Sequence, residues 1–355
     1  MGRLTTDKIL QTNILRCPQC HGLYYSETKA DAEWLNCQAC HGSYPVVDRS
    51  PLLLPSSSRS NPTKQDIQTF WRELYRKAYS DHDQEMSQEE FHHLLLDLEK
   101  LFRHREHLAT TEMPVDHLQG KRILEIGSGA GAHSAFLASK GAHVVALDLT
   151  LDRVVATARK LDRILSNQEN FCIQGDAEKL PFADNSFDIV YSNGVLHHTP
   201  RTQQAVEEVY RVLKPGGKAV IMLYAKNSFY YWFTIFFLKG LLMGNYFRSK
   251  NWLGSVTEWM PKKRQKVFNP ETKVYSGREI RQLFQDFHDI QIRKNSFTIQ
   301  QVPVLGKILS RLIGRFTGYN PAGTLLYGTP WRNEAHWELA VGRYLGFGLN
   351  ILALK

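Results

Sequence analysis

Within the 355 residues, the segment 122–131 narrows the choice of fold most sharply. Arg122–Gly127 reads RILEIG, an apolar run of the length of a buried strand, and Gly127-Ser128-Gly129-Ala130-Gly131 is the turn into a helical stretch, Ala132–Lys140. A second strand is expected over Ala142–Leu149, with Asp148 at its end. Strand, glycine turn, helix and strand in this order open a doubly wound α/β sheet. Glycines let a backbone approach a ligand closely, and the helix N-terminus behind them offers free N–H groups. By itself the loop leaves the ligand open. G-S-G-A-G-A also satisfies the dinucleotide pattern, and Asp148 lies 21 residues beyond Gly127, where a nicotinamide enzyme carries its ribose-binding acid.

Residues around the loop discriminate. Glu125 stands two residues ahead of the first glycine. Gly175-Asp176-Ala177-Glu178-Lys179-Leu180-Pro181-Phe182 follows, then Ser186-Phe187-Asp188-Ile189-Val190, Asn193, and Val195-Leu196-His197-His198. Glu208–Gly217, EVYRVLKPGG, leads into a strand over Lys218–Tyr224. With these blocks, residues 121–224 resemble class I S-adenosylmethionine-dependent methyltransferases of the ubiquinone/menaquinone-biosynthesis-like group. The nicotinamide reading is left with the loop alone. The resemblance implies a Rossmann-like, seven-stranded α/β sheet and S-adenosyl-L-methionine as methyl donor. It also implies a binding set. Gly127, Gly129 and Gly131 would admit the methionine part against bare backbone, and Glu125 would order the loop or meet the amino group through water. Asp148 would accept the ribose hydroxyls, Asp176 and the Ala177 backbone would meet the adenine amino group, and Asn193 would line the methionine end. Ser128 and Leu149 complete the cofactor contacts. Gly216 and Gly217 read instead as the turn before the fifth strand.

Methyl transfer from a sulfonium is an in-line displacement with a neutral leaving group, so the enzyme mainly aligns the acceptor and excludes water. A base is needed only where the nucleophile must lose a proton. His197 and His198 follow the fourth strand at the carboxyl edge, where ligands of open α/β sheets bind. Either imidazole is a candidate base for a phenol, acid or amine. V-L-H-H-T-P also occurs in the resembled group without a shared base, so a pocket-wall or loop-capping role stays open. His133 is a weaker candidate.

Four of the five cysteines lie in the first forty residues, as Cys17-Pro-Gln-Cys20 and Cys37-Gln-Ala-Cys40. Two C-x-x-C pairs at this separation are what a tetrahedral structural zinc site needs, and a module of this size has little core without its metal. Both pairs also read C-x-x-C-H, the haem-attachment signature, with His21 and His41. Haem would require export and more apolar enclosure than this stretch offers; the two histidines are expected in the knuckle turns. CPQC, CQACHGSYPVVD and PLLLP together resemble the small zinc-binding activator subunits that partner tRNA, rRNA and translation-factor methyltransferases. That resemblance covers residues 14–55 and implies a stabilising module without chemistry of its own.

The composition, 43% hydrophobic and 22% charged, excludes a disordered chain, a collagen-like repeat and a coiled-coil rod. No run of 18 apolar residues suggests a transmembrane helix, and no apolar leader precedes the cysteines, so the expected location is cytoplasmic or membrane-peripheral. The expected organisation is a zinc ribbon over 1–60, a helical linker or lid over 61–118, and a methyltransferase domain over 119–355. SSSRSNP at 56–62 reads as a linker. Helices are expected over Asp66–Tyr79 and Gln88–His107, placed over the mouth of the sheet; histidines 92, 93, 104 and 107 form no H-E-x-x-H array. Ser276–Phe287 reads as a helix, Asp289–Lys294 as a strand and Phe347–Leu354 as the last, antiparallel strand. Insertions at 226–275 and 296–344 should emerge at the carboxyl edge and build the acceptor pocket. The first holds an aromatic run, 229–243, suited either to capping a lipophilic acceptor or lying in a membrane interface with the basic residues 248–266, or to closing its own core. Residues 226–355 carry 19 basic and 7 acidic side chains. That excess suits a peripheral membrane or an RNA contact. The preferred acceptor is a small or lipophilic metabolite; the alternative is RNA or protein, docked through the zinc module and basic C-terminal third. Against that alternative, Asn193-Gly194-Val195-Leu196 stands where an N-P-P-Y-type motif would be.

Overall fold

The computed structural model describes residues 4–164, 169–262, 265–303, 305–317 and 333–355. The expected insertion 296–344 and the basic stretch 248–266 therefore lie partly outside the described residues. Near the N-terminus, β1 (Tyr24–Lys29), β2 (Ala32–Cys37), β3 (Ser43–Val47) and β4 (Ser50–Pro51) form a small antiparallel sheet in sequence order. Ala30 and Asp31 take positive φ in the tight β1–β2 turn.

This sheet does not hang free. Leu53 N donates to Gln174 O (2.8 Å), Arg16 N to Pro181 O (2.9 Å) and Ala183 N to Ile14 O (2.7 Å). The chain around the cysteines thus lies beside β7 (Phe171–Gln174), an edge strand of the large sheet, and the loop that follows it, and bonds the last carbonyl of that strand. Leu35, Tyr44 and Leu53 share one apolar cluster with Phe171, Ile173 and Phe182. The stretch 56–62 departs from the expected linker. Ser56–Arg59 is a helical turn, Ser58 is buried, and Asn61 caps the next helix by accepting from Lys64 N.

That helix, α1 (Pro62–Ala78), and α2 (Gln88–His104) match the expected apolar periodicity. Ser87 and Glu90 close a capping box at the start of α2. Only α1 covers the sheet mouth: Gln68 Nε2 donates to Leu149 O and Arg76 pairs with Asp152. α2 packs on α3 (Ala132–Ser139) instead.

The large sheet adds β5 (Arg122–Ile126), β6 (His143–Asp148), β8 (Phe187–Asn193), β9 (Leu213–Tyr224), β12 (His288–Asn295) and β13 (Gly348–Leu354). The remaining strands, β10 (Trp259–Lys262) and β11 (Gln265–Phe268), form a separate hairpin. The order is β12-β13-β9-β8-β5-β6-β7; β13 runs antiparallel to both neighbours and the central strands are parallel. This is the expected seven-stranded α/β sheet, with α4 (Leu151–Asp162) and α5 (Thr202–Val212) among its crossover helices. One expectation needs correcting. Gly216 and Gly217 lie inside β9, not before it, at a register shift opposite β8, with Gly216 at φ +74°. Gly216 N reaches Lys355 O and Lys355 N reaches Gly217 O, so pairing with the chain end keeps the bulge within the strand.

The first insertion forms α6 (Tyr230–Leu242), a wide helix of π type, and α7 (Gly277–Leu283) follows with a Ser276–Glu279 capping box. α8 (Leu305–Thr317) and α9 (His336–Leu345) belong to the second insertion. The described parts of both insertions follow the C-terminal ends of β9 and β12.

Because the cysteine module and the sheet share a core, Leu53→Ala is expected to cost the whole chain about 2–5 kcal/mol. Denaturant unfolding followed by fluorescence and by far-UV circular dichroism should stay coincident; two separated transitions would show an independent module.

Candidate functional site

The strand order reverses between β5 and β8, and the turn after β5 opens there into a cavity of about 310 Å³. Glu125, Gly127, Ser128, Gly129, Asp148, Leu149, Asp176, Ala177 and Asn193 all line it. Gly131, at φ +85°, lies behind the wall: a Cβ there would meet Thr157 Cα at 2.5 Å. Gly127, at φ +79°, is likewise shut in by Val195. Of the three loop glycines only Gly129 has open space where a side chain would sit; Val195 fills that space at Gly127, and Gly131 lets α4 pack closely at Thr157.

Asp148 is buried at the end of β6. Its Oδ2 accepts from Gly129 N (3.1 Å), and its Oδ1 accepts from Thr150 N (2.9 Å) and Thr150 Oγ1 (2.6 Å). The carboxylate thereby holds the glycine loop over the strand end. Asp176 occupies the corresponding place after β7, with Oδ1 accepting from Glu178 N (2.9 Å). Its Oδ2 meets two side chains the sequence reading missed, Ser58 Oγ and Lys64 Nζ. Lys64 also pairs with Glu178 at 2.7 Å, and Glu178 binds Arg201 at 3.0 Å. A signal for Lys64 existed: it stands on the apolar stripe of α1 with Ile67 and Trp71, where a charge requires a buried partner. Trp71 and Arg153 line the cavity too, the guanidinium lying 4.8 Å from the indole ring.

Glu125 is fully enclosed, and burial pushes its carboxyl up to about 8 despite a hydrogen bond from Ser134 Oγ. Burial holds the His133 imidazole down to about 4; its Nδ1 meets Tyr191 OH at 2.8 Å.

The structure separates the two adjacent histidines. His198 lines the cavity; its Nδ1 faces Glu271 O at 2.9 Å. A carbonyl can only accept, so Nδ1 carries the hydrogen and Nε2 keeps its lone pair. Nε2 is buried and has no partner among the described residues, and burial lowers the ring below the usual imidazole range. The arrangement is that of a neutral proton acceptor. His197 lies off this cavity, between His198 (ring centroids 4.1 Å) and Tyr224 (3.9 Å), with neither ring nitrogen hydrogen-bonded. Tyr224 lines a second cavity of about 530 Å³ on the far side, and its hydroxyl donates to Glu258 at 2.6 Å. Tyr230, Phe297 and Phe347 give that cavity an aromatic wall.

In the N-terminal sheet the four cysteines converge. Cys17 and Cys40 Sγ lie 3.7 Å apart, Cys20 and Cys37 Sγ 3.5 Å, and all four within 4.8 Å of one another. Tetrahedral zinc–thiolate bonds set sulfurs about 3.8 Å apart, so this donor set fits zinc. His21 and His41 take positive φ immediately after each pair, and their N–H groups bond Cys17 O and Cys37 O, so both are knuckle-turn residues.

The fold keeps the proton on Glu125 up to about pH 8, whereas the unfolded chain loses it near its ordinary 4.5. Between these values the unfolded state binds fewer protons, so stability falls as pH rises. Glu125→Gln should remove that slope. Its gain in melting temperature over the parent should widen from about pH 5 to about pH 8; a pH-independent difference would refute the assignment.

Comparison with known proteins follows this geometry. Residues 124–221 match the methyltransferase-domain family. The chain is 41% identical over 104 residues to the biotin biosynthesis bifunctional protein of Cellvibrio japonicus, covering 29% of this chain and 20% of that protein. It is 39% identical over 114 residues to the demethylmenaquinone methyltransferase of Clavibacter sepedonicus, covering 32% and 45%. The chain thus spans less than half the length of these curated relatives. A solved structure of Haemonchus contortus phosphoethanolamine N-methyltransferase 2 with S-adenosyl-L-methionine aligns with a TM-score of 0.46 at 18% identity, over 72% of this chain and 52% of that one. The family match and the strand order together identify residues 124–221 as a methyltransferase domain on a class I sheet.

Proposed function

We propose that this chain is an S-adenosylmethionine-dependent methyltransferase acting on a small, apolar metabolite, with a structural zinc ion held by Cys17, Cys20, Cys37 and Cys40. The observation that carries the reading is the cavity at the β5/β8 crossover, where the Gly129 backbone, Asp148, Asp176 and Asn193 meet in one hollow. Bound there, S-adenosylmethionine supplies a methyl group on a positively charged sulfur. The protein's own work is alignment and dehydration: α1 closes the hollow with Ile67 and Trp71, and Asp148 holds the loop that meets the ligand. In this reading His198, on the wall of the hollow, takes a proton from a phenol, acid or amine acceptor through Nε2.

In this reading the acceptor arrives through the second cavity, behind the wall of Tyr224, His197 and His198, and meets the methyl group only when that wall parts. Its aromatic lining suits an apolar ring more than a polar polymer. Likeness to a demethylmenaquinone methyltransferase points the same way. The competing reading, methylation of RNA or protein, draws on the cysteine module docked along β7 and on the basic excess of residues 226–355.

A transfer assay with methyl-labelled S-adenosylmethionine and fractionated cell extract decides between them. Label is expected in the lipid-soluble or small-molecule fraction; label confined to RNA or protein would overturn the acceptor assignment. Asp148→Ala should weaken S-adenosylmethionine binding by about 10- to 100-fold in calorimetry, the effect of a lost charge-assisted contact. Unchanged affinity would remove Asp148 from the site. Cys37→Ser should lose bound zinc in elemental analysis and lower the melting temperature of the whole chain; full zinc content would refute the ligand set.

A further inference from the structure

The helices framing the second cavity leave an apolar surface in water that methyl transfer does not use. On α8, Leu305, Ile308, Leu312 and Phe316 recur at helical spacing and are all exposed, Phe316 to 81%. Such a stripe ordinarily turns toward a core. Here Gly306 is the residue packed inward, against the carbonyls of Ile299 and Gln300, and the stripe faces out. Arg311 and Arg315 border the stripe, and α8 contains no acidic residue.

α6 meets the same corner, where Thr234 Oγ1 donates to Gln301 O at 2.6 Å just ahead of α8. Its inner face buries Tyr231 and Ile235, whereas Trp232, Phe233, Phe237 and Leu242 are exposed. Phe247, 75% exposed, follows, and then the exposed Arg248 and Lys250.

Acidic side chains do not offset this charge. Glu258 is bonded by Tyr224, Glu271 lies beside Lys273, and Glu279 pairs with Lys226. Glu334 pairs with Arg105, and Glu338 is buried, accepting from Ala335 N and Ile299 N. Asp286 and Asp289 lie near the start of β12, at the end of that strand away from α8. Among the described residues, Arg311 and Arg315 have no acidic partner.

An exposed apolar stripe with aromatic residues, bordered among the described residues by cations, has the chemistry of a surface that enters an anionic lipid interface. We infer that α6 and α8 dock this corner on an anionic phospholipid bilayer. The aromatic and aliphatic side chains enter the headgroup boundary, and Arg248, Lys250, Arg311 and Arg315 meet the lipid phosphates. No described helix is long and apolar enough to cross a membrane. Tyr230 of α6, Gly306 of α8 and Leu339 of α9 all line the second cavity, so docking sets that cavity beside the lipid. Delivery of an acceptor from the bilayer rests on the proposed transferase reading; the docking itself does not.

The test is sedimentation of the full chain with vesicles, with no methyl donor present. Vesicles of phosphatidylglycerol and phosphatidylcholine in equal parts should carry the protein down, and phosphatidylcholine alone should not. Phe316→Asp and the double variant Arg311→Glu/Arg315→Glu should each weaken binding by more than about ten-fold. Calorimetric affinity for S-adenosylmethionine should be unchanged in both, which establishes that they are folded. Sedimentation with neither vesicle, or binding untouched by both variants, would overturn the proposal. So would concentration-dependent self-association in the ultracentrifuge that Phe316→Asp abolishes, since a second copy would then cover the face. Because vesicle binding is read without turnover, its failure leaves the transferase reading standing, and failure of the transfer assay leaves the docking result standing.

Discussion

Lys64 retains only 4% of its exposure, and its ammonium lies between the carboxylates of Asp176 and Glu178; much of the site is arranged around that contact. A cation removed from water must be paired and hydrogen-bonded, and the desolvation it suffers is offset only where further groups satisfy the anions. Ser58 and the Glu178 amide do so for Asp176, and Arg201 does so for Glu178. Each of these partners comes from a different stretch of chain. The contact therefore determines at once where α1 closes over the sheet and why the chain after the cysteine module turns inward at Ser58.

The parallel sheet then determines where chemistry can occur. Its crossover between β5 and β8 makes one hollow, and the insertions after β9 and β12 make a second beside it. Between them stand His198, His197 and Tyr224, in tilted contact with ring centroids 4.1 and 3.9 Å apart. Burial keeps both imidazoles neutral by disfavouring the protonated form. The wall is thus uncharged, and His198, the member that lines the first hollow, keeps a buried Nε2 with no partner among the described residues.

Much of this was legible before any coordinates. The strand–glycine–helix order, the strand-end aspartates and the two cysteine pairs are set by local spacing, and the structure places all of the expected lining residues except Gly131 at the first cavity. Local pattern misled where a residue's conformation depended on distant partners. SSSRSNP has the composition of a linker, yet Ser58 is buried because Asp176 needs a donor. Gly216 and Gly217 look like a turn, yet the chain end pairs with them and extends β9. Three glycines look equivalent, yet Val195 and Thr157 shut in two of them.

The amino-acid sequence alone determined the element order, the sheet class and the positions of the acids and thiols, because periodicity and short-range spacing carry that information. The tertiary structure alone decided which histidine meets the cavity, which lysine enters it, and that the apolar stripe of α8 faces outward. Those outcomes depend on contacts between residues far apart in the chain, such as the 112 positions separating Lys64 from Asp176. A buried charge or an exposed stripe is defined by what surrounds it, and the surroundings exist only once the chain has folded.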